Sequence, residues 1–275
     1  MGLIIPANVM ADSVYISSNI TSDQLRFMKL LDDFEVDIFN FNEIETLLNQ
    51  SFDNLNEILE NLVDKQLLSR IERGKFCRSN FRDENVIGTF IVRDSAIAYW
   101  SALNLHGLTE QFPNTIFIQT IHKKNDKKIF GTNYKFIKII PTKRSGVILN
   151  GYGSHKYPIT DIEKTILDCF DMPQYSGGYA ELIRAFANAN LISAKLIEYC
   201  KTINNIAVIK RLGFLAELTG KKNMITFIRF AKEQVNERHN LFDPLGAESG
   251  EYNSDWKLRL NLSRGNILGI INQQY

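Results

Sequence analysis

The order of hydrophobic patterns between residues 21 and 80 constrains the fold of this chain more than any other feature. Apolar residues recur at helical spacing in three short segments that begin at 21, 40 and 51. Residues 66–80 then alternate in period two on both sides of Arg73-Gly74, where glycine provides the backbone freedom that a hairpin turn requires. Three short helices followed by a hairpin predict a winged helix-turn-helix.

Polar residues mark where the second and third of these helices should begin. Asn40 is predicted to accept a hydrogen bond from the backbone amide of Glu43, in a variant of the capping box, and Ser51 is predicted to cap the third helix. The third helix would then bury one apolar stripe and expose a face that carries both asparagine and acidic residues.

The DNA-binding residues of such a module lie on the third helix, which normally enters the major groove, and on the basic wing, which holds phosphates. Asn54 and Asn56 can read base edges, but Asp53 and Glu57 beside them repel phosphate. A helix-led mode is therefore unfavourable, whereas a wing-led mode and a role in protein contacts both stay open. The predicted DNA-binding residues are Arg70, Arg73, Lys75, Arg78, Asn54 and Asn56.

Charge is divided unevenly along the chain. Residues 1–82 contain 13 acidic and 8 basic side chains, whereas residues 83–275 contain 18 acidic and 24 basic ones. The N-terminal part is therefore acidic and the remainder basic, which favours different partners for the two parts.

A different pattern begins near residue 86, and the expected domains are 1–85 and 86–275. A helix capped by Asp94 or Ser95 is predicted to run to His106, and another, opened by a Thr160-Asp-Ile-Glu163 capping box, is predicted to end before Pro173. The expected fold class is α+β, with an N-terminal winged helix-turn-helix and a mixed α/β domain that has a helical C-terminal part. Predicted strands cover 115–122, 128–140, 146–157 and 256–262, and predicted helices cover 178–189, 193–203, 205–219 and 223–235.

A lysine-rich segment between residues 123 and 144 is the second basic feature. It contains one acidic residue, Asp126, and the aromatic residues Phe130, Tyr134 and Phe136 are interleaved with its lysines. Such a segment suits nucleic acid or an acidic protein, and the alternative is a solvated edge strand that lysines protect from aggregation. The residues expected to form this basic surface are Lys123, Lys124, Lys127, Lys128, Lys135 and Lys138.

No catalytic or metal-binding pattern in the sequence is specific. The four histidines are far apart and have no metal-ligand spacing. Gly153-Ser154, followed by Asp161 and Glu163, resembles a nucleotidyltransferase signature but is spaced too closely, and Asp255-Trp-Lys257 matches the end of a nuclease motif too briefly to count. We expect a non-enzymatic protein that uses no cofactor or metal.

Cysteine content and hydropathy bound the cellular setting. Cys77, Cys169 and Cys200 have neither disulfide nor zinc spacing and are expected to be buried thiols. No run of residues is long and apolar enough for a membrane span, and the apolar residues 2–6 lack the preceding basic residue of a secretory signal. We therefore expect a soluble, cytoplasmic protein.

His106 lies between an apolar helical run and an apolar strand-like run, so it is either a site residue or part of a helix end. With His106 as the C-cap and Gly107 in the left-handed conformation, Leu108 would contact Leu103, as in a Schellman motif. A histidine there can also bond to the last carbonyl groups of its own helix. We expect His106 to end a helix rather than to bind a substrate.

Four segments, taken in order, resemble the AbiEi antitoxins of the abortive-infection AbiE systems. The segment Ser101-Ala-Leu-Asn-Leu-His-Gly-Leu-Thr109 is the most specific of them, and the resemblance covers roughly residues 20–262. The other three segments are residues 67–76, 161–168 and 211–215.

The resemblance implies a type IV toxin-antitoxin function in phage defence. In this family an N-terminal winged helix-turn-helix binds inverted repeats in its own promoter and represses the operon, and the C-terminal domain counteracts a nucleotidyltransferase toxin without forming a stable complex. Arg70, Arg73 and Lys75 match the DNA-contacting wing, but the acidic third helix departs from it. The lysine-rich segment is our expected antitoxic surface, and the alternative is a transcriptional regulator or a protein-interaction scaffold without a toxin partner.

Overall fold

The computed structural model describes residues 20–272 of the chain. The apolar residues 2–6 lie outside this range. Within it the fold is α+β, with eleven α-helices and twelve strands in three sheets. The described residues divide into two compact units, the first formed by 20–83 with Tyr152–His155 and the second by 84–151 with 156–272.

The first unit combines three helices with a small antiparallel sheet. A capping box begins the first helix, because the Thr21 hydroxyl accepts from the Gln24 backbone amide and the Gln24 side chain accepts from the Thr21 amide. The sheet order is β1-β3-β2, with Gly74 in the turn at a φ of 73°. The elements are α1 (Ser22–Asp33), β1 (Ile38–Asn40), α2 (Phe41–Leu47), α3 (Leu55–Asp64), β2 (Leu68–Glu72) and β3 (Lys75–Arg78).

Two predicted helix caps of the first unit are wrong. Asn40 precedes α2 but makes no side-chain cap bond; its Nδ2 instead donates to the Glu43 carboxylate at 2.8 Å. Ser51 does not begin α3, which starts at Leu55, because the Glu45 carboxylate accepts the backbone amide of Phe52 at 2.7 Å and fixes the chain ahead of the helix. The hairpin around Arg73-Gly74 is confirmed.

The second unit contains a six-stranded mixed sheet, a helical core and a second small sheet. The order of the large sheet is β6-β7-β5-β4-β9-β8, with β5 parallel to β7 and β4 parallel to β9. Its strands are β4 (Ser95–Ile97), β5 (Thr115–Thr120), β6 (Lys127–Ile129), β7 (Thr132–Lys138), β8 (Val147–Asn150) and β9 (Tyr157–Thr160).

The helices of the second unit cover both the large sheet and a separate apolar core. Helix α4 lies directly against one sheet face, because a Cβ at Gly88 would be 2.7 Å from side-chain atoms of Ile118 and Tyr134. The helices are α4 (Glu84–Phe90), α5 (Tyr99–Leu105), α6 (Ile162–Asp171), α7 (Tyr179–Asn188), α8 (Ser193–Ile203), α9 (Ile206–Leu218), α10 (Ile225–Glu233) and α11 (Arg264–Asn272). Strands β10 (Asn240–Leu241), β12 (Leu258–Leu260) and β11 (Glu251–Asn253) form the second sheet, in that order.

Several predicted boundaries in the second unit are wrong. Ser95 does not cap a helix, because residues 95–97 form β4 between β5 and β9, and α5 begins only at Tyr99. The predicted strand 128–140 is a hairpin of β6 and β7, which turns at Phe130-Gly131 with positive φ at both residues. Asp161 rather than Thr160 caps α6, since its side chain accepts from the Lys164 backbone amide at 2.9 Å.

The predicted helices between residues 178 and 235 are confirmed as α7 to α10. The predicted strand 256–262 shortens to β12. None of the helices within residues 20–272 combines the length and the apolar character needed to cross a membrane.

Candidate functional site

The hairpin turn contacts the first residue of α2, and that residue also lines a shallow depression at the start of α3. The backbone amide of Phe41 donates to the Gly74 carbonyl at 2.8 Å, so the turn that carries Arg73 lies against α2. Phe41 also lines a shallow depression together with Asn54 and Asn56. Phe41 therefore contacts the tip of the hairpin and also lines the depression that holds both predicted base-reading asparagines.

Most of the predicted DNA-binding cations already have acidic partners in the same unit. Arg70 pairs with Glu60 of α3, and its guanidinium carbon lies 5.3 Å from the centre of the Phe76 ring. Lys75 pairs with Glu72 at 2.9 Å. These pairs neutralise much of the charge that the hairpin offers to a phosphate.

Arg78 is the most tightly held of these cations. It pairs with Asp32 at 2.7 Å and with Asp37 at 3.5 Å, and its Nε also donates to the Val36 carbonyl. Its side chain is only 16% exposed. Among residues 20–272, Arg73 is the one predicted cation of the hairpin that is exposed and makes no ion pair.

The asparagines are available, but their surroundings are acidic. Asn54 is exposed at the N-cap of α3 without a side-chain cap bond, and Asn56 is exposed in the first turn. Glu45, Asp53 and Glu57 line the same depression. The geometry thus combines hydrogen-bonding amides with three carboxylates, which weakens any approach of phosphate to this side.

The lysine-rich segment is divided between the two faces of the large sheet. Strand register places Lys128 and Lys135 on the face that also carries Phe117, and places Lys127 and Lys138 on the face covered by α4. Lys123 and Lys124 precede the edge strand β6. The predicted basic surface is therefore two surfaces.

Lys135 shares its face with aromatic rings. Its Nζ lies 5.6 Å from the centre of the Tyr175 ring, and Tyr175 lies 6.0 Å from Phe117, centre to centre. In contrast, Tyr134 and Phe136 are buried in the core, so their interleaving with lysine does not create exposed stacking positions. Lys135 also pairs with Asp126 at 3.5 Å, a surface contact of small energetic weight.

Three of the segments that resemble AbiEi antitoxins meet in the second unit. Helix α6 packs against both α5 and α9. His106 is the C-cap of α5, and the bonds from the Gly107 amide to Asn104 and from the Leu108 amide to Leu103 complete the predicted Schellman motif.

The imidazole of His106 contacts strand β9 rather than the carbonyl groups at the end of its own helix. Its Nε2 lies 2.7 Å from the carbonyl oxygen of Thr160 in β9. The expectation that it bonds to the last carbonyls of its own helix is therefore wrong, although its position as a helix end is confirmed.

Asp161, the residue that follows Thr160, belongs to a buried network of ion pairs and hydrogen bonds. Asp161 accepts hydrogen bonds from the Tyr199 hydroxyl at 2.8 Å and from Lys195 at 3.2 Å. Lys164 and Asp168 form an ion pair that is almost fully buried. Burial raises the pKa of Asp168 to about 6, and the charge of Lys164 offsets part of that effect.

Two of the residues weighed for catalysis make structural hydrogen bonds, and a third is exposed. Glu163 accepts the backbone amide of Ile192 at 2.8 Å, Ser154 donates to Asp37, and Asp255 is exposed. No group of three or more histidine, cysteine or acidic side chains is placed to hold a metal ion within residues 20–272. Cys77, Cys169 and Cys200 are free and buried, as predicted.

Sequence reasoning missed a pair of buried cations. Lys210 and Arg211 lie within α9, where the side chains are 0% and 7% exposed. The signal was present in the sequence, because two adjacent basic residues interrupt the apolar run of residues 206–215. Buried cations need acceptors, so such a pair indicates a built polar site.

Comparison with known proteins identifies the fold but no family. No protein-family model and no curated protein matches the sequence. The chain is similar to the crystal structure of the RV2827C protein from Mycobacterium tuberculosis, with a TM-score of 0.63 over 93% of this chain and 96% of that one. The two sequences are 14% identical, so the similarity establishes a related fold alone.

Proposed function

We propose that this chain is the antitoxin of a type IV toxin-antitoxin system of the abortive-infection class. It counteracts a nucleotidyltransferase toxin, and it represses its own operon through an N-terminal winged helix-turn-helix. The observation that carries the proposal is the meeting of α5, α6 and α9, because three of the segments that resemble AbiEi antitoxins form one packed core. The proposal assigns no catalytic role and no cofactor to the chain.

The antitoxic surface is the sheet face that carries Lys128 and Lys135. The apolar core packs against part of this face, where Ile137 is buried, and Lys135 lies beside the partly exposed rings of Phe117 and Tyr175. Lysine next to aromatic rings suits an acidic protein or a nucleic acid that the toxin uses. The surface can act on the toxin directly or on the toxin's target without a stable complex.

Co-expression tests the antitoxin proposal. The wild-type chain should relieve the growth arrest caused by a nucleotidyltransferase encoded directly downstream. Replacing Lys128 and Lys135 by alanine should abolish this relief, and replacing Lys127 and Lys138 by alanine is the matched control from the other face. Growth arrest that persists with the wild-type chain at normal expression would sink the antitoxin proposal; relief that both double variants retain would refute this surface alone.

Repression would use a wing-led mode of DNA binding. Its support is the order of elements in the first unit, three helices followed by a hairpin, and the contact of the hairpin turn with Phe41, which lines one depression with Asn54 and Asn56. Arg73 is the cation available to a phosphate, while Asn54 and Asn56 can reach base edges. The expected ligand is an inverted repeat in the chain's own promoter.

Fluorescence anisotropy with labelled DNA from upstream of the gene measures this binding. Arg73→Ala should weaken binding clearly, whereas Lys29→Ala, a cation of α1, is the matched control. If the wild-type chain shows no salt-dependent binding, or if Arg73→Ala binds as tightly as wild type, the DNA proposal fails. The antitoxin test does not depend on this result.

A second candidate function has its own observation. Glu45, Asp53 and Glu57 line the depression at α3, which favours a basic protein partner for the first unit. Under this alternative the chain is a regulator or an interaction scaffold without a toxin partner. It would be favoured if both the co-expression test and the DNA titration fail while the chain remains folded.

A further inference from the structure

A basic cleft of about 350 Å³ lies at the small sheet of the second unit. Arg259 belongs to the central strand of that sheet and pairs across it with Tyr252. Arg238 and His239, which precede β10, and Arg211 from α9 complete the cationic lining. The volume falls in the range of small-molecule sites, roughly 300–1,000 Å³.

Arg211 is a buried cation that forms no ion pair with a described carboxylate. It is 7% exposed and its Nε donates to the Leu241 carbonyl at 3.0 Å, but within residues 20–272 it forms no ion pair. Burial lowers its pKa, and the charges of Asp243 and Asp171 offset only part of that effect. An anion in the cleft would give the guanidinium a directly paired counter-charge.

The other two arginines of the cleft differ in their contacts: Arg259 lacks one hydrogen bond, and the backbone of Arg238 is held by a neighbour. The Nε of Arg259 is buried and has no hydrogen-bond partner among the described residues. Lys210 donates to the Asn236 side chain, the Arg238 carbonyl and the Asn240 side chain, which fixes the segment that carries Arg238. Lys210 therefore holds the backbone at Arg238, and the Leu241 carbonyl holds the guanidinium of Arg211.

The net charge of the lining indicates which anion fits. The residues that line the cleft include three arginines and one carboxylate, Glu248, which leaves a net charge of +2 without His239. A phosphate group carries up to two negative charges and several acceptor oxygens, which guanidinium groups bind in a fork geometry. The ring of Tyr252 is 64% exposed beside the cleft and can lie against a base.

We propose that this cleft binds a phosphate group, either free or as part of a nucleotide. Arg211, Arg238 and Arg259 bind the phosphate oxygens, and Tyr252 contacts the base when a nucleotide is bound. The site is separate from the lysine face and from the hairpin, so it does not rest on the antitoxin proposal.

Isothermal titration calorimetry on the full chain tests the site, with inorganic phosphate and ATP as probes. Arg238→Ala and Arg259→Ala should each weaken binding at least about tenfold, because each removes a charge-assisted hydrogen bond. Arg229→Ala, an exposed arginine of α10, is the matched control and should bind like wild type. Unchanged thermal unfolding of each variant shows that the losses are not caused by misfolding.

The outcomes separate the two sources of phosphate. ATP binding that Tyr252→Ala weakens, with phosphate binding unchanged, assigns a nucleotide; equal binding of both probes and no effect of Tyr252→Ala assigns free phosphate. The proposal is overturned if a folded wild-type chain binds neither probe at millimolar concentration. It is also overturned if both arginine variants bind as tightly as the Arg229→Ala control.

Discussion

Gly213→Ala should destabilise the second unit, although alanine forms helices better than glycine. Gly213 is buried inside α9, and a Cβ at this position would lie 2.4 Å from two ring carbons of Trp256 and 2.8 Å from the Cβ of Ala231. Carbon atoms in contact are about 3.5–4.0 Å apart. Either the helix or the indole must therefore move by about 1 Å or more.

Trp256 cannot move without breaking other contacts. It is 1% exposed, and its Nε1 donates to the Glu217 carboxylate at 2.6 Å while its backbone amide donates to Asn253. Overpacking of this kind costs about 1–3 kcal/mol, and loss of a hydrogen bond to a charged group adds about 1.5–3 kcal/mol. Against this, alanine gains about 1 kcal/mol of helix propensity. We expect a net loss of about 1.5–5 kcal/mol.

Gly269→Ala is the matched control for this prediction. Gly269 also lies inside a helix, α11, but a Cβ there would meet no atom within 4 Å. The same substitution should therefore stabilise the unit by about 0.5–1 kcal/mol. Urea unfolding followed by tryptophan fluorescence measures both, because Trp100 and Trp256 both belong to the second unit. Equal shifts in the two variants, or a Gly213→Ala variant as stable as wild type, would refute the reasoning.

Backbone strain at one glycine and the burial of three titratable groups give further predictions. Gly107→Ala should lose about 1–2 kcal/mol in urea unfolding, since Gly107 has a φ of 67° and a Cβ there contacts nothing, so the whole cost is backbone strain. Burial raises the pKa of Asp168 from 3.8 to about 6, so the folded state holds a proton that the unfolded state has released. The contribution of this carboxyl to the free energy of unfolding therefore falls as pH rises through that interval. Urea unfolding at several pH values should show that the free energy of unfolding of Asp168→Asn rises relative to that of wild type as pH increases over the same interval. Burial also raises the pKa of Cys77 to about 11 and of Cys200 to about 12. A thiol reagent at about pH 8 should then react slowly with the native chain and quickly after urea unfolding, and fast native labelling would contradict the burial of these thiols.

The helices between residues 178 and 235 were predictable because their signal is local. Helix α7, for example, presents an apolar face at helical spacing, and that face is buried. Residues 95–97 carry no such signal, since β4 is defined by its pairing with β5 and β9, which lie far along the chain. Tyr99 has a φ of 54°, which interrupts the local pattern that seemed to join Ser95 to the helix. Non-local pairing therefore overrode a plausible cap.

His106, at the end of α5, has a position that local sequence predicts and a side-chain contact that it does not. Local chemistry predicts the position of His106, because a histidine followed by Gly107 and an apolar residue fits a Schellman ending. The partner of its imidazole, Thr160, is 54 residues further along the chain, and no local rule selects it. The buried cations of α9 are a different case. The sequence shows two basic residues inside an apolar run, but only the fold shows the cleft that Arg211 lines.

Among the features that matter for function, the charge available on the hairpin differs most between the sequence-based prediction and the structure. A count of cations predicts a strongly basic wing, but Glu60, Glu72 and Asp32 pair with three of them in the fold. Because each phosphate contact contributes a slope of about −0.9 to the dependence of log affinity on log salt, a wing with one available cation should give a slope near −1. Anisotropy titrations at several salt concentrations measure this slope, and Arg73→Ala should bring it towards zero. A slope of about −3.6, the value for all four cations of the wing, would mean that the ion pairs open on DNA, and would contradict the view that they neutralise the wing.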